Sequence, residues 1–284
     1  MWYDVITQRP IEHVAIDERV ISYGDGFFTT IAVVNGEVNW LDYHAARIRN
    51  SCQALQLTVD IPAALTALQQ QANAIQQGML KLVVCRARQP NRGYGFVNGD
   101  AHVWLSSTPM PQSFAKQANQ VYCQPLAYAV MLRQQIACLP KPLAGLKLLN
   151  AQDKALASAE LLSCQAQIDN LFEGLVQNVL GEWVEGTFCN LFYRLQDGQW
   201  FTPPLTQSGV AGVMRQVVID QCDQCGQPIA ERVLTQDDIS ELTSLVFCNA
   251  VRGLVPIARL YTTSSDYRSL TLAYPIPIEL PLDD

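Results

Sequence analysis

Histidine and lysine are both scarce in this chain, with three His and five Lys beside 14 Arg in 284 residues. His13, His44 and His102 are too few and too scattered to suggest a Ser-His-Asp hydrolase, and no G-x-S-x-G turn is present. His44 falls on an amphipathic helix pattern, where a hydrogen-bonded structural role is expected. Nucleotide signals are weak: Gly93-Tyr94-Gly95 lacks the third glycine of a dinucleotide fingerprint, and no Walker A string occurs. No apolar run reaches the roughly 18–20 residues that cross a bilayer, and no basic stretch leads into an apolar one near Met1. A cytoplasmic protein away from membranes is expected. Charge is sparse too, at 16% of residues with a net value of −7, which argues against a nucleic-acid or anionic-membrane surface. Nine Cys without a signal peptide read as reduced thiols, and Cys222 with Cys225 lacks the second CxxC or nearby His of a zinc site, so no metal is expected.

What is present is a large apolar fraction, 49% of residues, enough to build sizeable cores. A strand is expected over 27–34, ending at the hairpin signal Asn35-Gly36, with a returning strand over 38–41. Leu41, Ala45, Ile48, Cys52 and Leu55 then recur at helical spacing. A second helix is expected from Pro62 to a C-terminal Gly78, followed by strands over 80–87 and 102–106. Beyond a Pro- and Ser-rich break come an apolar strand over 121–130, a helix over 150–164, strands over 171–177 and 183–195, a helix over 213–222, a short helix after Thr235 and a strand over 244–248. The pattern implies an α/β (α+β) protein of two domains, each with a mixed sheet and flanking helices. The smaller N-terminal domain spans 1–110, a linker 111–119 and the larger domain 120–284, with the site expected at their interface.

Lysine is the more promising nucleophile, since a partly desolvated amine can form a Schiff base with an aldehyde. Lys116 lies in the linker, Lys154 on an expected exposed helix face and Lys81 in a strand. Lys147 differs, standing in Leu143-Ala-Gly-Leu-Lys147-Leu-Leu-Asn150 just ahead of a helix. On these residues alone, an amine snorkelling from an apolar segment explains it as well as a reactive one.

Seven motifs occur in order: Tyr23-Gly-Asp-Gly-Phe-Phe-Thr-Thr30, His44-x-x-Arg47, Arg92-Gly-Tyr94, Leu143-Ala-Gly-Leu-Lys147-x-x-Asn150, Glu185-Gly-Thr-x-x-Asn190-Leu-Phe, Gly209-Val-x-Gly-Val-Met-Arg215 and Cys248-Asn-Ala250. With them the chain resembles the fold-type IV pyridoxal-phosphate (PLP) enzymes from about residue 12 to 258. The resemblance implies that Lys147 holds PLP through its amine and then moves the substrate proton. It places Glu185 at the pyridine nitrogen, where a carboxylate keeps the ring protonated as an electron sink. It assigns the phosphate to Arg47 and to the N–H groups of Val213 and Met214 at a helix start, with Asn249 as a further donor. Asn150 would orient the Lys147 region. Tyr23, Thr30, Arg92 and Tyr94 would meet substrate, Thr30 as a second catalytic residue.

Each has a plainer reading from its residues: a strand carboxylate, a solvated helix arginine, a Gly-rich turn, a turn asparagine, a helix cap at Asn150, a β-branched strand former at Thr30 and surface-loop residues at Arg92 and Tyr94. Two departures stand out. Ala87-Arg-Gln-Pro-Asn91 replaces the family's glycine-rich approach to Arg-Gly-Tyr, and Ala151 stands where a basic residue often follows the asparagine. The implied activity is conversion of 4-amino-4-deoxychorismate to 4-aminobenzoate and pyruvate. Aminotransfer on branched-chain or D-amino acids is the first alternative, and a PLP-binding protein without turnover the second. The implied partners are a small-molecule substrate and a second copy of the chain, with neither nucleic acid nor membrane.

Overall fold

The computed structural model describes residues 2–110, 117–262 and 269–271, so most of the linker expected at 111–119, Lys116 included, lies outside the described residues. The chain divides into two compact units: Met1–Gln120 with Leu146–Asn150, and Val121–Gly145 with Ala151–Asp284. The Lys147 segment, late in the sequence, therefore belongs to the first unit.

Among the described residues the first unit holds β1 (Trp2–Asp4), β2 (Arg9–Pro10), α1 (Arg19–Tyr23), β3 (Gly26–Val34), β4 (Glu37–Val38), α2 (Leu41–Leu55), α3 (Ile61–Ile75), β5 (Gly78–Arg86) and β6 (Ala101–Pro109). The sheet order is β2-β1-β6-β5-β3-β4. Every neighbouring pair is antiparallel, which corrects the mixed sheet expected for this unit. At β3–β4 the reason is local: Asn35 and Gly36 take φ of 53° and 77°, and such a two-residue turn returns the chain antiparallel.

Period-two alternation sends Phe27, Ile31 and Val33 of β3, Leu80, Leu82 and Val84 of β5, and Val103 and Leu105 of β6 to one face. Ile48 and Cys52 of α2 and Ala64, Ala67, Leu68 and Ala72 of α3 cover that face. Phe28, Thr30 and Lys81 alternate to the other. α3 begins where the Asp60 carboxylate accepts the Ala63 N–H at 3.0 Å. It ends at Ile75 with Gln76 as its cap, short of the expected Gly78. Gly78 opens β5 instead, where a Cβ would stand 2.3 Å from the Thr108 carbonyl oxygen.

The second unit holds β7 (Ala127–Ile136), α4 (Gln152–Gln165), β8 (Leu171–Asn178), β9 (Trp183–Gly186), β10 (Asn190–Arg194), β11 (Trp200–Thr202), α5 (Val213–Gln224), β12 (Ala230–Glu231), a 3-10 turn (Asp237–Glu241), β13 (Ser244–Asn249), β14 (Gly253–Tyr261) and β15 (Ser269–Thr271). The order is β12-β11-β10-β13-β14-β7-β8-β9, with β15 beside β14. This sheet is mixed: β7 runs parallel to β8 and β14, and β11 to β12. α4 supplies the crossover that parallel β7 and β8 require. Both faces are packed, with Ala129 and Met131 in one cluster and Val130 and Leu132 in another that includes Ala157 and Leu161 of α4.

Two strands differ from the sequence reading. The run at 121–130 is interrupted by Pro125, which has no N–H for a ladder, and β7 starts only at Ala127. The run at 183–195 is two strands, because Gly186 donates its N–H to the Cys189 carbonyl at 2.7 Å and turns the chain. Among the described residues no helix is long and apolar enough to cross a membrane.

Candidate active site

In the first unit, the Tyr23–Thr30 motif is built around two close approaches. A Cβ on Gly24, whose φ is +58°, would lie 2.9 Å from Asn150 Cβ, and one on Gly26 would lie 2.3 Å from the Val84 carbonyl oxygen. Between them, Asp25 Oδ2 accepts from Arg19 Nε at 2.7 Å and Arg86 Nε at 3.0 Å. Arg19 also donates to the carbonyls of Gly93, Tyr94 and Gly95 at 3.0, 2.9 and 3.3 Å, tying down the loop that carries Arg92 and Tyr94. The Tyr23 and Tyr94 rings lie 5.2 Å apart, Tyr94 largely exposed and Arg92 exposed.

Residues 146–150 add themselves to the edge of β3. Phe28 N–H donates to the Lys147 carbonyl at 3.0 Å, Leu149 N–H to the Gly26 carbonyl at 3.1 Å, and Phe27 bridges Leu148. Lys147 Nζ then lies 4.8 Å from the centre of the Phe28 ring, and Lys81 Nζ lies 4.7 Å from the same ring. Thr30 pairs across the sheet with Lys81. Asn150 does not cap α4: that helix begins after Ala151 with no side-chain cap.

Thr29, on the helix side of β3, is a residue the sequence reading left without a role. Its hydroxyl lies 2.8 Å from His44 Nδ1 and accepts from Arg47 Nη1 at 3.3 Å. Burial, and then the neighbouring Arg47, hold the His44 pKa well below its ordinary value, so the ring is neutral. Burial also brings Arg47 down to about 10. Alternation along β3 was the available signal, since it sends Thr29 and Thr30 to opposite faces.

In the second unit, Glu185 of β9 is buried. Its Oε2 accepts the Val210 N–H at 2.8 Å, and its Oε1 takes Lys154 Nζ of α4. Lys154 is therefore half-buried and ion-paired, not on an exposed face as expected from the sequence. Asn190 Nδ2 donates to the Val210 carbonyl at 2.7 Å, so the backbone of one residue is held at both its N–H and its C=O by the ends of the Glu185–Asn190 motif. Gly212 passes so close to Asn190 that a Cβ would stand 1.8 Å from its Oδ1. α5 then starts at Val213 with no side-chain cap and no acidic residue in its first turn. Such an end, with Val213 and Met214 N–H groups leading it, suits an anion. Arg215 turns away, donating to Thr202 Oγ1, the Pro203 carbonyl and Glu231.

Asn249 serves its own turn. Its Oδ1 accepts the N–H groups of Val251 and Arg252 at 3.0 and 2.8 Å, and Nδ2 donates to Cys189 Sγ at 3.2 Å. Beneath the Gly186–Cys189 turn lies Glu173, which no sequence signal singled out. Its carboxylate accepts from Gly174 N–H, Thr187 N–H, Thr187 Oγ1 and Phe188 N–H, at 2.9, 3.0, 2.7 and 3.3 Å. Burial raises its pKa to about 7 despite these bonds. Among the described residues, no three His, Cys, Asp or Glu side chains gather as a metal site.

The chain thus carries an amine against an aromatic ring, a buried carboxylate held by backbone and ammonium, and an open helix N-terminus. These are the groups an enzyme uses on an aldehyde-bearing, phosphorylated ring cofactor. A family model described as amino-transferase class IV matches residues 26–260, and the chain belongs to that family. It has the fold-type IV architecture, in a family that is PLP-dependent.

The chain is 27% identical over 252 residues to the aminodeoxychorismate lyase of Vibrio harveyi, covering 88% of each. It is 26% identical over 258 residues to a putative branched-chain-amino-acid aminotransferase of Methanocaldococcus jannaschii, covering 86% of this chain and 81% of that one. The crystal structure of 4-amino-4-deoxychorismate lyase from Pseudomonas aeruginosa matches with a TM-score of 0.81 at 28% identity, over 96% of this chain and 94% of that one. The residues fit PLP: the uncapped α5 terminus suits its phosphate, the Glu185 carboxylate a protonated ring nitrogen, and the Lys147 amine an aldehyde.

Proposed function

We propose that the protein is a PLP-dependent lyase that converts 4-amino-4-deoxychorismate to 4-aminobenzoate and pyruvate on the way to folate, working as a cytoplasmic homodimer. The observation that carries this reading is local to β3. The Phe28 ring receives the Lys147 ammonium, and Thr30 stands two residues on along the same face. A proton-moving amine and a hydroxyl donor are what an elimination from adjacent carbons needs.

PLP supplies an aldehyde that condenses with the substrate amine and a ring that draws off the electron pair left by deprotonation. Lys147 Nζ holds the cofactor, then takes the proton from the amine-bearing carbon. Glu185, aimed by the Val210 N–H, holds the ring nitrogen. The Val213 and Met214 N–H groups and Arg47 take the phosphate, with Asn249 beside them, while Asn150 steadies the Lys147 segment. The Thr30 hydroxyl donates to the ether oxygen as that bond breaks, and the ring left behind becomes aromatic. Tyr23, Arg92 and Tyr94 meet the substrate.

The test is to supply aminodeoxychorismate with no 2-oxo acid. Equal amounts of pyruvate and 4-aminobenzoate over many turnovers are expected, and borohydride should fix PLP to the peptide bearing Lys147. Thr30→Val should slow turnover about 5- to 150-fold, the loss of one hydrogen bond in the transition state. The relation to the M. jannaschii aminotransferase supports a second reading. Turnover of leucine with 2-oxoglutarate, and none of aminodeoxychorismate, would establish it in place of the first.

A further inference from the structure

Lys154 occupies an unfavourable place for a cation. It lies in the first turn of α4, at the electropositive end of the helix, where Asp153 Oδ1 accepts the Lys154 N–H at 2.8 Å and Asp153 Oδ2 accepts the Ala137 N–H at 2.9 Å. The turn is thereby fixed to the end of β7, and the ammonium reaches one oxygen of Glu185 while the Val210 N–H holds the other.

A carboxylate offers about four acceptor positions, so two contacts leave room for a third. We propose that Lys154 is a positioning and charge-tuning residue, sharing the Glu185 carboxylate with the cofactor's ring nitrogen and weakening the carboxylate's grip on it. This rests on the assignment of Glu185 to that nitrogen under the proposed function. Two cations on one buried anion repel each other, so removing the ammonium strengthens the remaining contact. A purely architectural lysine would have the opposite sign: its loss would loosen the site and weaken cofactor binding.

The experiment titrates the full-length chain with PLP, following absorbance, in wild type, Lys154→Met, Lys154→Gln and Lys154→Arg, each also in a Glu185→Gln background. Lys154→Met and Lys154→Gln are expected to bind PLP about tenfold more tightly, and Lys154→Arg within about threefold of wild type. In the Glu185→Gln background the Lys154 substitutions should change affinity by less than about twofold. Unchanged or weaker binding in Lys154→Met and Lys154→Gln, with Glu185→Gln clearly altering affinity, would overturn the inference and leave the Glu185 assignment standing. If wild type binds no PLP, or Glu185→Gln binds it as wild type does, the assignment itself fails and takes the inference with it.

Discussion

His44 of the first unit and Glu173 of the second are both buried with no group of opposite charge among their hydrogen-bond partners, and the two respond to acid in opposite directions. His44 of the first unit is kept neutral by burial and by Arg47, and only a threonine hydroxyl meets its Nδ1. Glu173 of the second unit is kept protonated up to about 7 by burial, against four hydrogen bonds that favour its charged form. An unfolded histidine takes up a proton below about 6.5, whereas the folded His44 does not, so stability falls as pH drops through that value. An unfolded glutamate loses its proton near 4.5, whereas folded Glu173 keeps it to about 7, so its contribution is full below 4.5 and declines as pH rises to 7. Between those limits, acid loosens the first unit and alkali the second. Burial without a counterion is a pH-dependent device, and its sign depends on the group buried.

The largest expected effect comes from the charge cluster at Asp25 in the first unit. Asp25→Ala leaves Arg19 and Arg86 buried without their shared anion and should destabilise the unit by about 3–5 kcal/mol, measured by urea unfolding. Faster amide exchange should appear in the 93–95 loop and in β5. If exchange there is unchanged, charge is not what holds that loop.

Next is Glu173→Gln, which removes a titration worth about 3 kcal/mol across pH 4.5 to 7. The gap in stability between wild type and variant should shift by that amount over this window, in the variant's favour as pH rises. A pH-independent gap would show that the carboxylate is not the titrating group.

His44→Gln keeps a polar contact to Thr29 and should flatten the acid side of the stability profile, by at most about 1.4 kcal/mol per pH unit below 6.5. Smallest of all is a matched pair, Thr29→Val and Thr187→Val, each removing one hydroxyl from one buried group at about 1 kcal/mol. Peptide-resolved exchange should place the first loss in α2 and the second in the Gly186–Cys189 turn.

Much of this molecule was legible in its sequence. The α2 stripe, the Asn35-Gly36 turn and the start of α5 are written in local spacing and backbone preference, which survive folding intact. Lys147 stood out as an amine in an apolar string, whereas Glu185 and the Gly209–Arg215 string stood out only through the resemblance to the fold-type IV enzymes. What stayed hidden depends on residues distant in sequence. Glu173 sits in an apolar strand, and nothing local says that residues 187 and 188 will return to cover it. Lys154 looks solvated until β9 places Glu185 beside it. Nothing local marks Arg19, because its three carbonyl partners lie more than 70 positions away.

The attachment of residues 146–150 to β3 bears on how the chain is made. A ribosome that has released the first 120 residues has not released everything the first unit requires, since Gly26 C=O and Phe28 N–H wait for Leu149 and Lys147. That sheet edge stays unsatisfied while 25 further residues of the other unit, Val121–Gly145, emerge. A gene cut at the boundary would yield a fragment with an exposed edge and without Lys147, and dissection into two separately expressed halves is the wrong way to study this protein.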